Sequence, residues 1–132
     1  MDVDYFYFKD INPTFDYYTP ILIANNDFLS KNPDAAKAFL AATAKGYQYA
    51  IENPEDAANI LIASDETGSL KGSETLVTES QKWISEQYIA DAEKWGVIDP
   101  ARWNAFYAWL WDNKLIEKDL GENCGFSNDY LA

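Results

Sequence analysis

Residues 32–61 read NPDAAKAFLAATAKGYQYAIENPEDAANIL and contain two helix starts of the same kind. Each start is an asparagine followed by a proline, Asn32-Pro33 and Asn53-Pro54. A short polar side chain can accept hydrogen bonds from the first N–H groups of a helix, and proline is favoured at the first helical position. Between the two starts, a stripe with a period close to 3.6 residues indicates one helical face. The stretch therefore predicts a helix over 33–52 and a shorter one from 54 to about 64. The stripe consists of Ala36, Leu40, Thr43, Tyr47, Ala50 and Ile51.

Two more helices are predicted downstream. One runs from about 74 to 95 with Trp83, Tyr88 and Trp95 on its packed side, and Gly96 is placed to end it. The other begins at Asp99-Pro100 and runs to about 113 with the clearest apolar face of the chain. Trp109 lies off that face, so it must meet solvent, another lobe or another chain. Residues 64–73, SDETGSLKGS, form the most flexible connection. The apolar face of the last helix consists of Trp103, Phe106, Tyr107, Leu110 and Trp111.

Strand candidates occur only near the start of the chain, at residues 3–9 (VDYFYFK) and 19–24 (TPILIA). Both are rich in the aromatic, β-branched or aliphatic residues that suit a pleated, partly buried segment. The sequence thus predicts a mainly α chain with one or two short strands. A strand or crossover segment covers about 3–24 and a helical part covers 26–132. The second candidate, left without a paired neighbour, is expected to pair with another copy of the chain and so to produce a homo-oligomer.

Composition excludes several classes of function. The chain has 10 Lys and Arg against 22 Asp and Glu, a formal net charge of −12 that repels nucleic-acid backbones and anionic lipid surfaces. It has no histidine and a single cysteine, Cys124, which leaves no internal disulfide, no usual zinc ligand set and no Ser-His or Cys-His catalysis. No pair of carboxylates has a spacing that indicates acid/base work. We therefore predict no catalytic residues, no metal and no cofactor.

Asp16, Tyr17 and Tyr18 directly precede the aliphatic candidate strand at 19–24. In α/β proteins, small molecules bind at the edge where strands emerge from a sheet. A tyrosine at that edge can stack on a flat heteroaromatic ring, and an aspartate can accept hydrogen bonds from amino or ring N–H groups. The alternative is a tyrosine pair that packs a turn. Position alone leaves both interpretations open.

Three stretches in order carry a resemblance to a known family. They are FDYYTPILIANNDFLSKNPDAAKAFLAATAKGYQYAIENPEDAANIL (15–61), ESQKWISEQYIADAEKWGVIDPARWNAFYAWLWDNKLI (79–116) and GFSNDYL (125–131). Through them the chain, from about Tyr5 to Leu131, resembles the C-terminal part of ABC-transporter substrate-binding proteins of the thiamine-pyrimidine-precursor family, relatives of the nitrate, sulfonate and taurine binders.

The resemblance implies a type II periplasmic-binding-protein fold, in which two hinged α/β lobes close on a small solute and deliver it to ABC permease subunits. The chain would then be a single C-terminal piece, 1–132, whose N-terminal counterpart and export signal lie outside it. An extracytoplasmic location, periplasmic or lipid-anchored, and a role without catalysis follow. By the same resemblance Asp16, Tyr17 and Tyr18 lie on the hinge side of the cleft and contact the heteroaromatic ring of a thiamine pyrimidine precursor, with either tyrosine facing it.

Two alternatives remain open at the level of sequence. Proteins of the same fold that synthesise the pyrimidine precursor use a histidine and an iron-linked, cysteine-rich motif, and this chain has neither. The chain could also be a small acidic helical interaction module that docks on a partner through Trp109.

Overall fold

The computed structural model describes residues 4–131 and is mainly helical, as predicted. Six α-helices and one 3-10 helix lie in this part of the chain. The 3-10 helix, Pro13–Phe15, falls between the first two α-helices. The α-helices are α1 (Phe8–Ile11), α2 (Asn26–Lys31), α3 (Pro33–Glu52), α4 (Pro54–Ala63), α5 (Glu74–Ser85) and α6 (Pro100–Asp112).

The chain divides into two compact units. The first unit comprises the described residues of Met1–Asn26 together with Ile98–Asp129, and the second comprises Asp27–Val97 with the described residues of Tyr130–Ala132. The first unit therefore joins the start of the chain to α6. The second contains α3, α4 and α5.

Small residues lie at the centre of the second unit. Ala36 of α3 and Ala58 of α4 are buried, and Ser85 at the end of α5 is 5% exposed. The Ser85 hydroxyl lies 3.1 Å from the carbonyl oxygen of Ala50, which links α5 to α3. The predicted stripe of α3 is buried or half-buried throughout, so the sequence located this face correctly.

The helix starts confirm the role of the prolines and correct that of two asparagines. Pro33, Pro54 and Pro100 each occupy the first helical position. The Asp99 carboxylate caps α6 by accepting the N–H of Ala101 at 2.8 Å, as predicted. The side-chain amides of Asn32 and Asn53 instead donate to carbonyl oxygens of the preceding helices, those of Phe28 and Tyr49. Each asparagine lies where one helix ends and the next begins, and the unpaired carbonyls of the ending helix compete for it.

The helix predicted over 74–95 is wrong beyond Ser85. Residues 86–97 form successive turns, and Ala90 adopts a left-handed conformation with φ 49°, which a continuous right-handed helix cannot contain. Tyr88 and Trp95 still pack on the ring of Tyr47, with centroid distances of 4.7 and 4.8 Å. Tyr88 and Trp95 therefore lie on one packed side, as the periodicity predicted, but turns and not a helix place them there. Trp83, expected to pack as well, is 55% exposed.

Neither predicted strand forms in residues 4–131. Over 4–7 the chain has no regular structure, Phe8 begins α1, and 19–24 are without regular structure; residue 3 of the first candidate lies outside the described residues. Strand propensity reports that side chains suit a pleated surface, whereas a strand also requires a neighbour that pairs with its N–H and C=O groups. Without one, Ile21, Leu22 and Ile23 are 45, 56 and 87% exposed instead of buried.

The connection between α4 and α5 is organised by one carboxylate. Asp65 accepts the backbone N–H groups of Thr67 at 3.1 Å and of Leu70 at 2.7 Å. The Thr67 hydroxyl also donates to it at 2.6 Å. Hydrogen bonds to the charged form, above all that from the Thr67 hydroxyl, lower the pKa of Asp65.

Candidate ligand-binding site

The segment 16–18 is held against α6 by Arg102. The guanidinium Nη2 lies 2.7 Å from Oδ1 of Asp16, and Nε donates to the backbone carbonyl oxygen of the same residue. The guanidinium carbon lies 4.5 Å from the ring centroid of Tyr18, which is a cation–π arrangement. One side chain therefore contacts two of the three predicted site residues.

Tyr18 is also tied to the start of α6. Its hydroxyl accepts the backbone N–H of Asp99 at 2.9 Å. Asp99 also caps α6 with its carboxylate, so Tyr18 is hydrogen-bonded to the capping residue of this helix. The ring of Tyr18 is half-buried.

Tyr17 points to a different neighbour. Its ring stacks on that of Phe106 with a centroid distance of 4.3 Å and an interplanar angle of 17°. The residue is nevertheless 44% exposed. Tyr17 therefore combines a supported ring with access to solvent.

A small, mostly apolar cavity of about 40 Å³ adjoins these residues. Trp103, 8% exposed, closes one side of it and is fixed by a hydrogen bond from Nε1 to the carbonyl oxygen of Cys124 at 2.9 Å. Sites that enclose small ligands span about 300–1,000 Å³, so this cavity is too small to enclose such a ligand by itself. Its lining residues are Tyr17, Tyr18, Ile21, Trp103, Phe106 and Tyr107.

The face of α6 that lines this cavity agrees with the sequence prediction except at one position. Trp103 is buried, and Phe106, Tyr107 and Leu110 are half-buried, but Trp111 is 40% exposed. Trp109, off the predicted face, packs edge-on against Phe15 with a centroid distance of 4.9 Å. Trp109 therefore packs within the first unit, although it lies off the predicted apolar face.

Sequence reasoning named Asp16, Tyr17 and Tyr18 but missed Arg102. The structure brings all three close to α6, where Asp16 and Tyr18 contact Arg102 and Tyr17 stacks on Phe106. A signal for Arg102 was present, because it is the only arginine in the sequence and lies three residues after the cap Asp99. Nothing local, however, indicates a partner 86 residues away.

The second unit has a larger cavity, of about 310 Å³. Leu40, Trp95 and Leu131 contribute apolar surface, and Lys45 and Glu93 contribute charges of opposite sign. Elsewhere in this unit, the hydroxyl of Tyr49 donates to Asp56, and this hydrogen bond raises the pKa of Tyr49. None of these groups forms a recognisable reaction centre.

Residues 4–131 lack two features that would indicate other functions. No group of three or more Cys, Asp or Glu side chains is arranged to hold a metal ion. None of the described helices combines the length and apolarity needed to cross a membrane.

Comparisons with known proteins agree with the resemblance stated from the sequence. A sequence model of the family described as "NMT1/THI5 like" matches residues 1–57, the part that contains Asp16, Tyr17 and Tyr18. The formylaminopyrimidine-binding protein of Halalkalibacterium halodurans is 26% identical to this chain over an alignment 132 residues long. The alignment covers 96% of this chain and 38% of that relative. The chain thus spans well under half the length of this relative. Together the two matches confirm the resemblance to this substrate-binding family.

Proposed function

We propose that this chain is part of the extracytoplasmic solute-binding component of an ABC importer, and that it binds a thiamine pyrimidine precursor or a similar flat heterocycle. The observation that carries the proposal is Tyr17, an exposed ring supported by Phe106 and adjacent in sequence to Asp16, whose side chain is 42% exposed. A ring that can stack beside a carboxylate that can accept N–H groups suits a heterocycle with amino substituents. The name of the formylaminopyrimidine-binding relative supports the same chemical class.

The mechanism we propose is hinge closure. Asp16, Tyr17 and Tyr18 provide one wall of the site, and residues outside this chain provide the other. Because only the closed form contacts the solute from both lobes, binding shifts the population toward that form, which the permease subunits then recognise. The small size of the cavity beside Tyr17 is consistent with a site that is completed on closure.

We prefer binding to catalysis because the relative is named a binding protein. We also prefer it to an interaction module built on Trp109. That ring is half-buried against Phe15, so it offers a partner less surface than its position in the sequence indicated.

Titration of a formylaminopyrimidine into the full-length protein tests the proposal. Tyrosine and tryptophan fluorescence should change and saturate, because Tyr17, Phe106 and Trp103 surround the proposed contact. A hydroxymethylpyrimidine provides the comparison ligand. If neither compound produces a saturable change up to millimolar concentration, the substrate assignment fails.

We also propose that the 132-residue chain associates with copies of itself through residues 19–24. Three consecutive aliphatic side chains in this segment, Ile21 to Ile23, are largely exposed, and its backbone has no strand partner in residues 4–131. Such a segment favours strand pairing between copies. Light scattering should show an increase in mass with concentration for the chain, and Ile23→Lys should suppress it. A constant monomer mass for the unsubstituted chain would contradict this part of the proposal.

A further inference from the structure

We propose that Arg102 is the positioning residue of the candidate site and that its contacts leave Tyr17 as the tyrosine that faces the ligand. The inference rests on the proposed function, because it assigns separate roles to residues of the same site. It also states what the Asp16 carboxylate requires of that ligand, namely N–H donors at the edge of the stacked ring.

Arg102 holds Asp16 through two hydrogen bonds. Nη2 binds the carboxylate Oδ1 at 2.7 Å, while Nε donates to the backbone carbonyl oxygen of Asp16. One guanidinium therefore fixes both the backbone and the side chain of the same residue. The planar fork of arginine can make these two bonds at once, whereas the single ammonium of a lysine cannot reproduce that geometry.

Tyr18 has two partners within the protein. The guanidinium lies over its ring at 4.5 Å, and its hydroxyl already accepts the N–H of Asp99. One face and the polar end of this side chain are therefore used within the protein. Tyr18 acts as part of the frame that holds the segment.

Tyr17 is stacked on Phe106 and still exposed to solvent. Phe106 covers one face of its ring, which leaves the residue 44% exposed. Stacking on Phe106 also fixes the plane of the ring, so little further ordering is needed when a ligand stacks on it. Of the two tyrosines, Tyr17 is the one with a supported and accessible ring.

The Asp16 carboxylate determines which groups the ligand must offer. An ionised carboxylate has two oxygens and about four acceptor positions, and the Arg102 bond to Asp16 involves Oδ1. The Asp16 side chain is 42% exposed, so acceptor positions can reach a ligand. Because an ionised carboxylate only accepts, the ligand must donate, through amino or ring N–H groups adjacent to the stacked ring.

Ligand-binding measurements on the full-length protein test these roles. Dissociation constants are measured for a formylaminopyrimidine and for an analogue with its N–H groups methylated. Tyr17→Leu should weaken binding of both by about three- to tenfold, since a stacked ring is lost while apolar bulk is kept. Arg102→Gln should weaken binding of the N–H form by about tenfold, the loss expected when a hydrogen bond to a charged group is misplaced.

Binding of the methylated analogue distinguishes a positioning role of Arg102 from a purely structural one. If Arg102 acts through Asp16, Arg102→Gln should change the affinity for the methylated analogue little, whereas a merely structural role would weaken both ligands equally. Arg102→Lys should restore only part of the affinity. Lys118→Gln removes one positive charge from an exposed position of the same unit and serves as the matched control. Equal losses for both ligands in Arg102→Gln would overturn the positioning role.

A second measurement does not depend on the ligand. Nitration by tetranitromethane, resolved by tandem mass spectrometry, should modify Tyr17 faster than Tyr18 in the unsubstituted protein. Arg102→Gln should raise the rate at Tyr18 toward that at Tyr17. Equal rates before the substitution, or no change after it, would overturn the role of Arg102. Failure of the unsubstituted protein to bind would overturn the proposed function and the ligand-facing role of Tyr17, while the nitration rates still decide how Arg102 holds the segment.

Discussion

The two units of the chain have interiors of different chemistry. In the second unit the most buried side chains are small, namely Ala36, Ala58 and Ser85. Small side chains permit helices to approach closely, and the helices themselves follow from local sequence. In the first unit the most buried residue is Trp103, surrounded by other rings and tied to Cys124 by a hydrogen bond.

The difference has a consequence for function. The first unit joins residues that are far apart in sequence, such as Asp16 and Arg102, and it contains the proposed ligand-binding residues. The second unit is built largely from helices that are neighbours in sequence, and it contains none of the proposed ligand-binding residues. The unit whose contacts are least specified by local sequence is therefore the one that contains the proposed ligand-binding residues.

The largest effect is expected for Trp103→Ala. The indole is 8% exposed and also loses its hydrogen bond to the Cys124 carbonyl. Truncation of a buried aromatic residue lowers the free energy of unfolding by about 3–5 kcal/mol. Trp83→Ala, at a position 55% exposed, should cost about 1 kcal/mol or less. Urea unfolding followed by circular dichroism measures both, and equal losses would show that the ring cluster does not depend on Trp103.

A smaller effect is expected for Ala58→Leu in the second unit. Ala58 is 1% exposed in α4, so the larger side chain must displace its neighbours, at a cost of about 1–3 kcal/mol. Ala42→Leu, at an exposed position of α3, provides the control, because both substitutions place leucine in a helix. The same urea titration applies. A stability of Ala58→Leu equal to that of the control would contradict close packing of α4.

The helical part of the fold was predictable because its signals are local. Pro33, Pro54 and Pro100 mark three helix starts, and the stripe beginning at Ala36 marks the buried face of α3. The prediction was wrong at Ala90, where a left-handed residue interrupts a pattern that periodicity alone continues. Periodicity reports which side chains share a side, and both a helix and a series of turns can satisfy it.

The strands and the site were less predictable because both depend on distant partners. The segment from Ile21 to Ile23 has the composition of a buried strand, but no neighbour pairs with it in residues 4–131. Asp16, Tyr17 and Tyr18 were found from residue type and resemblance. Their support by Arg102 and Phe106 was not, since no local pattern specifies a contact across more than 80 residues.

The smallest effect, and the one that tests local specification most directly, is expected for Asp65→Asn in the connection between α4 and α5. The pKa of Asp65 is lowered in the folded chain, chiefly by the Thr67 hydroxyl and the N–H of Leu70. A lowered pKa means that the carboxylate stabilises the fold fully above the ordinary value of 3.8, and that this contribution is lost as the pH falls through the lower folded value.

At neutral pH, therefore, Asp65→Asn should melt at a lower temperature than the unsubstituted chain, because the side-chain NH₂ of asparagine cannot accept the N–H of Leu70. The difference should shrink as the pH falls below 3.8, since a protonated Asp65 loses its advantage as well. Glu66→Gln, at the adjacent exposed residue, removes the same charge without touching this hydrogen-bond network and is the matched control. Thermal melts at pH 7 and pH 3 decide the matter. A difference that is constant across this range, or equal to that of Glu66→Gln, would mean that the connection is held by the helices at its two ends and not by its own carboxylate.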